Sequence, residues 1–211
     1  MADIYENIMT SLYHGEEDEV ASLVRKALDD GLDPQDVLQN GLIAGMDQVG
    51  VDFKSGELFV PEVLVAARAM HAGMAVLRPL LAEGSRIGAG KLVVGTVQGA
   101  LHDIGKNLVK MMMEGAGFEI VDLGTDVKPQ DFVEAVREHK PDLVGMSALL
   151  TTTMVNMKTT IEALQEAGLR DSVKIMVGGA PVTQEFATDI GADAFAPDAA
   201  AAVDIARELT S

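Results

Sequence analysis

The chain contains no cysteine and no tryptophan, and only 4% of its 211 residues are aromatic. Without thiols there is no disulfide, no thiolate zinc site, no iron–sulfur cluster and no cysteine nucleophile. So few aromatics leave no stacking platform for single-stranded nucleic acid. Basic residues are also scarce: 16 Lys and Arg stand against 33 Asp and Glu, a formal net charge of −17. Nucleic acid and anionic membranes both require a basic face, so neither is expected as a partner. There is no uninterrupted apolar run of about 18 residues, the span of a membrane helix. The opening MADIYENIMTSLYHGEEDE lacks the basic flank and apolar stretch of a signal peptide. A cytoplasmic location is expected.

What remains is an ordinary globular composition, 48% hydrophobic, in a chain long enough for one or two domains with a real core. The two halves read differently. Residues 1–84 show helical periodicity throughout. One helix runs over Asp3–Tyr13. A second follows Gly15, with acidic residues in its first turn, apolar Val20, Leu23, Val24, Ala27 and Leu28, and Gly31 as its stop. Asp33-Pro34 opens a third as N-cap and first helical residue, with Val37, Leu38, Leu42, Ile43 and Met46 as its stripe. A fourth starts at Pro61 and reaches Leu81. Short loops imply an antiparallel bundle. The glycine-rich segment 85–90 reads as a linker.

Residues 91–211 alternate strand and helix. Apolar runs at Leu92–Val97, Phe118–Val121, Leu143–Met146, Ile175–Val177 and Ala194–Ala196 are separated by helical stretches at about 105–115, 129–139, 154–167, 183–190 and 199–209. That pattern predicts an α/β domain, a five-stranded doubly wound parallel sheet of the Rossmann-like or flavodoxin-like kind. Such sheets bind ligands beyond the C-terminal ends of their strands. The loops there carry Gly99-Ala100-Leu101-His102-Asp103-Ile104-Gly105, then Ser147-Ala148-Leu149 with Thr151-Thr152-Thr153, then Gly178-Gly179. A histidine, a hydroxyl cluster and a diglycine should surround one crevice. No Ser-His-Asp set, GxxxxGK loop or paired-carboxylate signal accompanies them.

His-x-x-Gly, Ser-x-Leu and Gly-Gly, with 41 residues between Gly105 and Ser147 and 28 between Leu149 and Gly178, resemble the cobalamin-binding module. That module occurs in methionine synthase, the carbon-skeleton mutases and the corrinoid proteins of anaerobic methyltransferase systems. The helical first half, with Phe59-Val60-Pro61-Glu62-Val63-Leu64, resembles the stand-alone methyl carriers, so the likeness spans nearly the whole chain. It implies a corrinoid cofactor (cobalamin or methylcobalamin) with His102 as lower axial ligand to cobalt, neutral imidazole being a good transition-metal donor. It implies a cofactor site of His102, Asp103, Gly105, Ser147, Leu149, Thr151, Thr153, Gly178 and Gly179. Small residues would admit the nucleotide tail, and Ser147 and Thr151 match positions that contact it. Residues 1–84 would cap the upper face of the corrin and 91–211 would grip the tail.

In the family the motif is usually Asp-x-His-x-x-Gly, the Asp bonding the distal nitrogen of the histidine. This chain has Ala100 there. Thr153 matches the hydroxyl that continues that relay. Loss of the carboxylate should weaken tuning of the ligand, so that His102 leaves cobalt more readily on reduction. The resemblance implies a carrier that accepts a methyl group from a substrate-specific methyltransferase and hands it to a second, acceptor-side one, with a reductive activator as a further partner. A cobalamin subunit of an adenosylcobalamin-dependent mutase and a corrinoid-binding sensor are the alternatives.

Overall fold

The computed structural model describes residues 2–81 and 89–211. Residues 85–88 of the expected linker lie outside the described residues. The chain divides into two compact units, Met1–Ile87 with Glu114–Gly117, and Gly88–Met113 with Phe118–Ser211.

The first unit is helical, as its periodicity predicts. Helix α1 covers Ala2–Tyr13 and α2 covers Glu17–Asp29. Gly31, at φ +84°, ends α2: its N–H bonds to Leu28 O, and the N–H of Leu32 to Ala27 O. Asp33 caps α3 (Pro34–Val37), accepting the N–H of Gln35 at 2.8 Å. The chain then passes through a π-helical turn, Leu38–Ile43, into α4 (Ala44–Ser55). The spacing of Val37, Leu38, Leu42, Ile43 and Met46 predicts one regular helix there. One extra residue in a single turn barely disturbs an apolar stripe, so the wide turn leaves no mark in the pattern.

Helix α5, Val60–Leu77, starts one residue before Pro61. Its first turn is closed by Glu62 Oε2, which accepts the N–H of Phe59 at 2.6 Å. It packs chiefly on α2 and ends in a 3₁₀ turn, Arg78–Leu80, around Pro79. Val60–Leu80 is long and apolar enough to cross a membrane by length and composition. Its apolarity is that of a bundle's central helix, with Val63, Ala66, Ala69, Met70 and Leu77 buried.

The second unit is a five-stranded parallel sheet: β1 Gly90–Thr96, β2 Phe118–Asp122, β3 Leu143–Ser147, β4 Lys174–Gly178 and β5 Ala194–Ala196. Each strand agrees with its apolar run to within two residues. The order is β2-β1-β3-β4-β5, so the switch point lies between β1 and β3. Helices α6 (Ile104–Gly115), α7 (Pro129–His139), α8 (Thr151–Glu166), α9 (Gln184–Asp189) and α10 (Ala199–Thr210) connect or follow the strands. Val93, Val97, Met146 and Val177 pack with Phe132 of α7 and Met157 and Ile161 of α8 on one face. On the other face Met176 and Ala196 meet Val109 of α6 and Ala202 and Ile205 of α10. With both faces covered, continuous apolar strands are what the sheet requires.

One partly buried ion pair fastens α6 to β2. Lys106, 2% exposed, donates to Asp122 Oδ1 at 2.6 Å and to Asn107 Oδ1 at 3.0 Å. Lys110 reaches Asp122 Oδ2 at 3.1 Å. Burial pushes the Asp122 carboxyl up, but the bonds from Lys106, the Gly124 N–H and Lys110 outweigh it and hold its pKa below the ordinary 3.8. Removing the carboxylate charge leaves the buried ammonium of Lys106 with neutral acceptors only, so Asp122→Asn should destabilise the protein by about 1–2 kcal/mol at neutral pH in urea unfolding. A group with a depressed folded pKa stabilises above its unfolded pKa and stops doing so as pH falls through the folded value. The wild-type advantage over Asp122→Asn is therefore expected to be full at neutral pH and to shrink below the ordinary 3.8.

Candidate functional site

The parallel register brings the strand ends into one row. Thr96 of β1 is the partner of Ser147 of β3, Ser147 of Gly178 of β4, and Gly178 of Ala196 of β5. Paired residues of a parallel sheet point to the same side, here the side covered by α6 and α10. Every side chain in that row is small. The segments that follow, with the sequence-predicted His102, Leu149 and Gly179 in loops and Gly105 and Thr151 in the first turns of α6 and α8, therefore leave from one edge.

The loop after β1 is fixed by contacts on both flanks. Asn156 of α8 donates to Gln98 O at 2.7 Å. Asp126 accepts the N–H of Gly99 at 2.7 Å on Oδ1, and its own N–H bonds to Ala100 O at 3.0 Å. Asp126 holds this position with φ +55°, a conformation that Asp tolerates better than most residues. At the far end Asp103 accepts from Asn107 Nδ2 at 2.9 Å. Between these anchors His102 is exposed and has no hydrogen-bond partner among the described residues. Leu101 and Ile104 beside it are 72% and 81% exposed, and Leu149 and Leu150 after β3 are exposed as well. Exposed apolar side chains on the loop of the displayed imidazole and after the neighbouring strand suit a large flat ligand with a transition metal at its centre. Among the described residues no group of three or more His, Cys, Asp or Glu is arranged to hold a metal by itself, so a metal at His102 must bring its other ligands with it.

The glycines make different demands. Gly179 sits at φ +127°, and a Cβ there would fall 1.8 Å from Ala148 O; the fold itself requires it. A Cβ on Gly178 would meet Ala196 O at 3.0 Å. Gly105 is different: nothing lies within 4 Å of a Cβ built on it, and a glycine inside a helix weakens it. The protein gives no reason for Gly105, whereas a ligand passing close to the backbone does. The row also holds an orphan, for Thr96 Oγ1 is buried without a hydrogen-bond partner among the described residues. An open glycine, a buried unmet hydroxyl and the small-residue row fit a polar tail entering beside the sheet.

Two expectations change. Thr151–Thr153 was expected before the helix, but α8 begins at Thr151. Thr153 bonds its hydroxyl to Leu150 O at 3.0 Å within that first turn, which stabilises the earlier start. The hydroxyl at the relay position thus donates within its own helix and keeps its acceptor lone pairs. Ala100 is 4% exposed within the apolar cluster under β1, and Asp103 is held by Asn107, so neither supplies the missing carboxylate. Sequence reading also passed over Thr96, Asp126 and Asn156. Thr96 is indistinguishable from an ordinary strand residue, and the other two act on the loop from 27 and 58 residues away.

A B12-binding domain family matches residues 90–206, and a second B12-binding domain family matches residues 4–78. The dimethylamine corrinoid protein of Methanosarcina barkeri is 46% identical over 208 residues, 98% of this chain and 97% of that protein. A corrinoid protein of Desulfitobacterium hafniense (strain Y51) is 45% identical over 209 residues, again 98% and 97%. Among solved structures, the methanol:cobalamin methyltransferase complex MtaBC from Methanosarcina barkeri contains a chain that superposes with a TM-score of 0.90. That match has 31% identity and covers 99% of this chain and 80% of the other.

The two glycine environments give opposite expectations for the protein without ligand. Gly179→Ala meets backbone in a disallowed conformation and should cost more than about 3 kcal/mol. Gly105→Ala should be neutral or stabilising by up to about 1 kcal/mol. Urea unfolding of the two variants reads this directly; a destabilised Gly105→Ala would mean that the protein, not a ligand, requires that glycine.

Proposed function

The chain belongs to the corrinoid proteins of the B12-binding family, and we propose that it holds its corrinoid with His102 beneath the cobalt and the nucleotide tail lying along the Thr96–Ser147–Gly178 end of the sheet. When bound, the corrinoid supplies a cobalt that accepts a methyl group and gives it up again. The chain's own residues do the holding. Asp126, Asn156 and Asn107 fix the loop, so the imidazole is presented without a search. Leu101, Ile104, Leu149 and Leu150 offer an apolar seat that excludes water from the lower side of the ring. Ser147 and Thr151 offer hydroxyls to a polar tail, which must be hydrogen-bonded if it is buried. Gly105, Gly178 and Gly179 keep backbone bare where the tail passes. The role proposed for the helical unit is to cover the upper face.

The protein works as the methyl carrier of a methyltransferase system. Its partner on the loading side is a methyltransferase specific for a small methylated compound. A second, acceptor-side methyltransferase and a reductive activator complete the proposed system, which operates in the cytoplasm. The observation that carries this reading is the pinned, exposed, unpartnered His102 at the same edge as the small-residue row. No observation favours the mutase-subunit or sensor alternatives.

Reconstitution tests it. Unfolded-and-refolded or apo protein incubated with hydroxocobalamin should retain about one corrinoid per chain through gel filtration, with a visible spectrum that changes in His102→Ala. Adding a methylated donor with its cognate methyltransferase, under reducing conditions, should then change the spectrum in the wild type. A folded protein that retains no corrinoid would contradict the proposal.

The missing carboxylate generates a second expectation. A carboxylate behind a ligand histidine raises its basicity. Ala100→Asp should therefore hold His102 on cobalt more firmly and move the midpoint of the lower cobalt couple to more negative potential, at some cost in stability because the site is apolar. Identical midpoints and identical ligation spectra in the two proteins would show that the absent carboxylate is without consequence.

A further inference from the structure

Thr96 is 0% exposed, and its Oγ1 has no hydrogen-bond partner among the described residues. An unmet buried hydroxyl is costly, and valine, with the same shape and equal liking for strands, would avoid that cost. The folded chain alone thus favours valine at this position. Nor does the hydroxyl sit at random. Along the same face of β1, Leu92 and Val94 precede it, and both are buried. Thr96 is the last residue of its strand, in the row it shares with Ser147, Gly178 and Ala196. Ser147, one strand away, also makes no side-chain hydrogen bond to the described residues. The two hydroxyls therefore stand side by side on the α6–α10 face, that of Thr96 buried and that of Ser147 half-buried, with Gly178, which carries no side chain, next in the row.

Resting on the corrinoid reading above, we propose that Thr96 is a further tail-binding residue: its hydroxyl, together with that of Ser147, hydrogen-bonds the buried polar part of the cofactor's nucleotide tail, so that the chain selects corrinoids bearing that tail over corrinoids lacking it. A bound water would need two or more polar partners of its own and would give no such selection. The hydroxyl is a cost to the empty protein and a gain to the loaded one.

The test compares cobalamin with cobinamide, a corrin without the nucleotide tail, by visible titration of the full-length wild type, Thr96→Val and Thr96→Ser. Melting of each apo protein is followed in parallel. Thr96→Val should weaken cobalamin binding about tenfold, leave cobinamide binding unchanged, and melt no lower than the wild type. Thr96→Ser should keep the preference for cobalamin. A purely structural threonine would instead lower the melting temperature and weaken both ligands alike; that result, or undiminished cobalamin binding by Thr96→Val, overturns the proposal. A wild type that binds cobinamide as tightly as cobalamin overturns the selection while leaving corrinoid binding intact. A wild type that binds neither overturns the corrinoid reading and Thr96's role with it.

Discussion

Parallel pairing is the constraint on which the rest of this protein depends. Strands that run the same way must end at the same edge, and every crossover must leave from there. The register then decides which residues become neighbours. Here it aligns Thr96, Ser147, Gly178 and Ala196, four small side chains drawn from strands spread over a hundred residues of sequence. None of them is informative alone. In one row they form a narrow, partly polar end to an otherwise apolar sheet. The strand order β2-β1-β3-β4-β5 puts the switch point between β1 and β3, so the loop with His102 and the loop with Leu149 leave beside each other.

The histidine is a problem of presentation. A ligand held by a single side chain gains most when that side chain is already in place, because ordering a loop on binding would cost entropy. For the role proposed for His102, two groups far away in sequence and one nearby hold the loop. Asp126 grips the peptide flanks of Gly99 and Ala100, Asn156 holds Gln98, and Asn107 holds Asp103. Deeper down, Lys106 ties the first turn of α6 to Asp122. The imidazole itself has no hydrogen-bond partner among the described residues. Where relatives of the cobalamin-binding kind usually add a carboxylate, this chain has Ala100 packed into the apolar cluster, and Thr153 spends its hydroxyl on Leu150. The contacts seen to position the histidine act on the loop that carries it.

Much of this was legible in the sequence, and the exceptions follow a rule. Strands read well because a sheet covered on both faces forces short apolar runs, and the predicted Ala194–Ala196 coincides with β5. The Asp33-Pro34 start and the Gly31 stop read well because both are local chemistry. The π turn at Leu38–Ile43 was not legible, since adding a residue to one turn does not break an apolar stripe. The start of α8 was misplaced by three residues, because threonines suit both a cap and a first turn. His102, Ser147 and the glycines could be singled out by motif. Thr96, Asp126 and Asn156 could not, because their roles exist only once distant segments meet.

The central claim is that a nitrogen of His102 binds the cobalt from below. It is tested most directly by electron paramagnetic resonance of the cobalt(II) form, using uniformly ¹⁵N-labelled protein reconstituted with unlabelled cobalamin. Ligation by His102 predicts that the cobalt lines split into doublets from the spin-one-half protein nitrogen, and that the doublets vanish in His102→Ala. Triplets from the cofactor's own ¹⁴N base, or doublets that survive the substitution, would contradict the account.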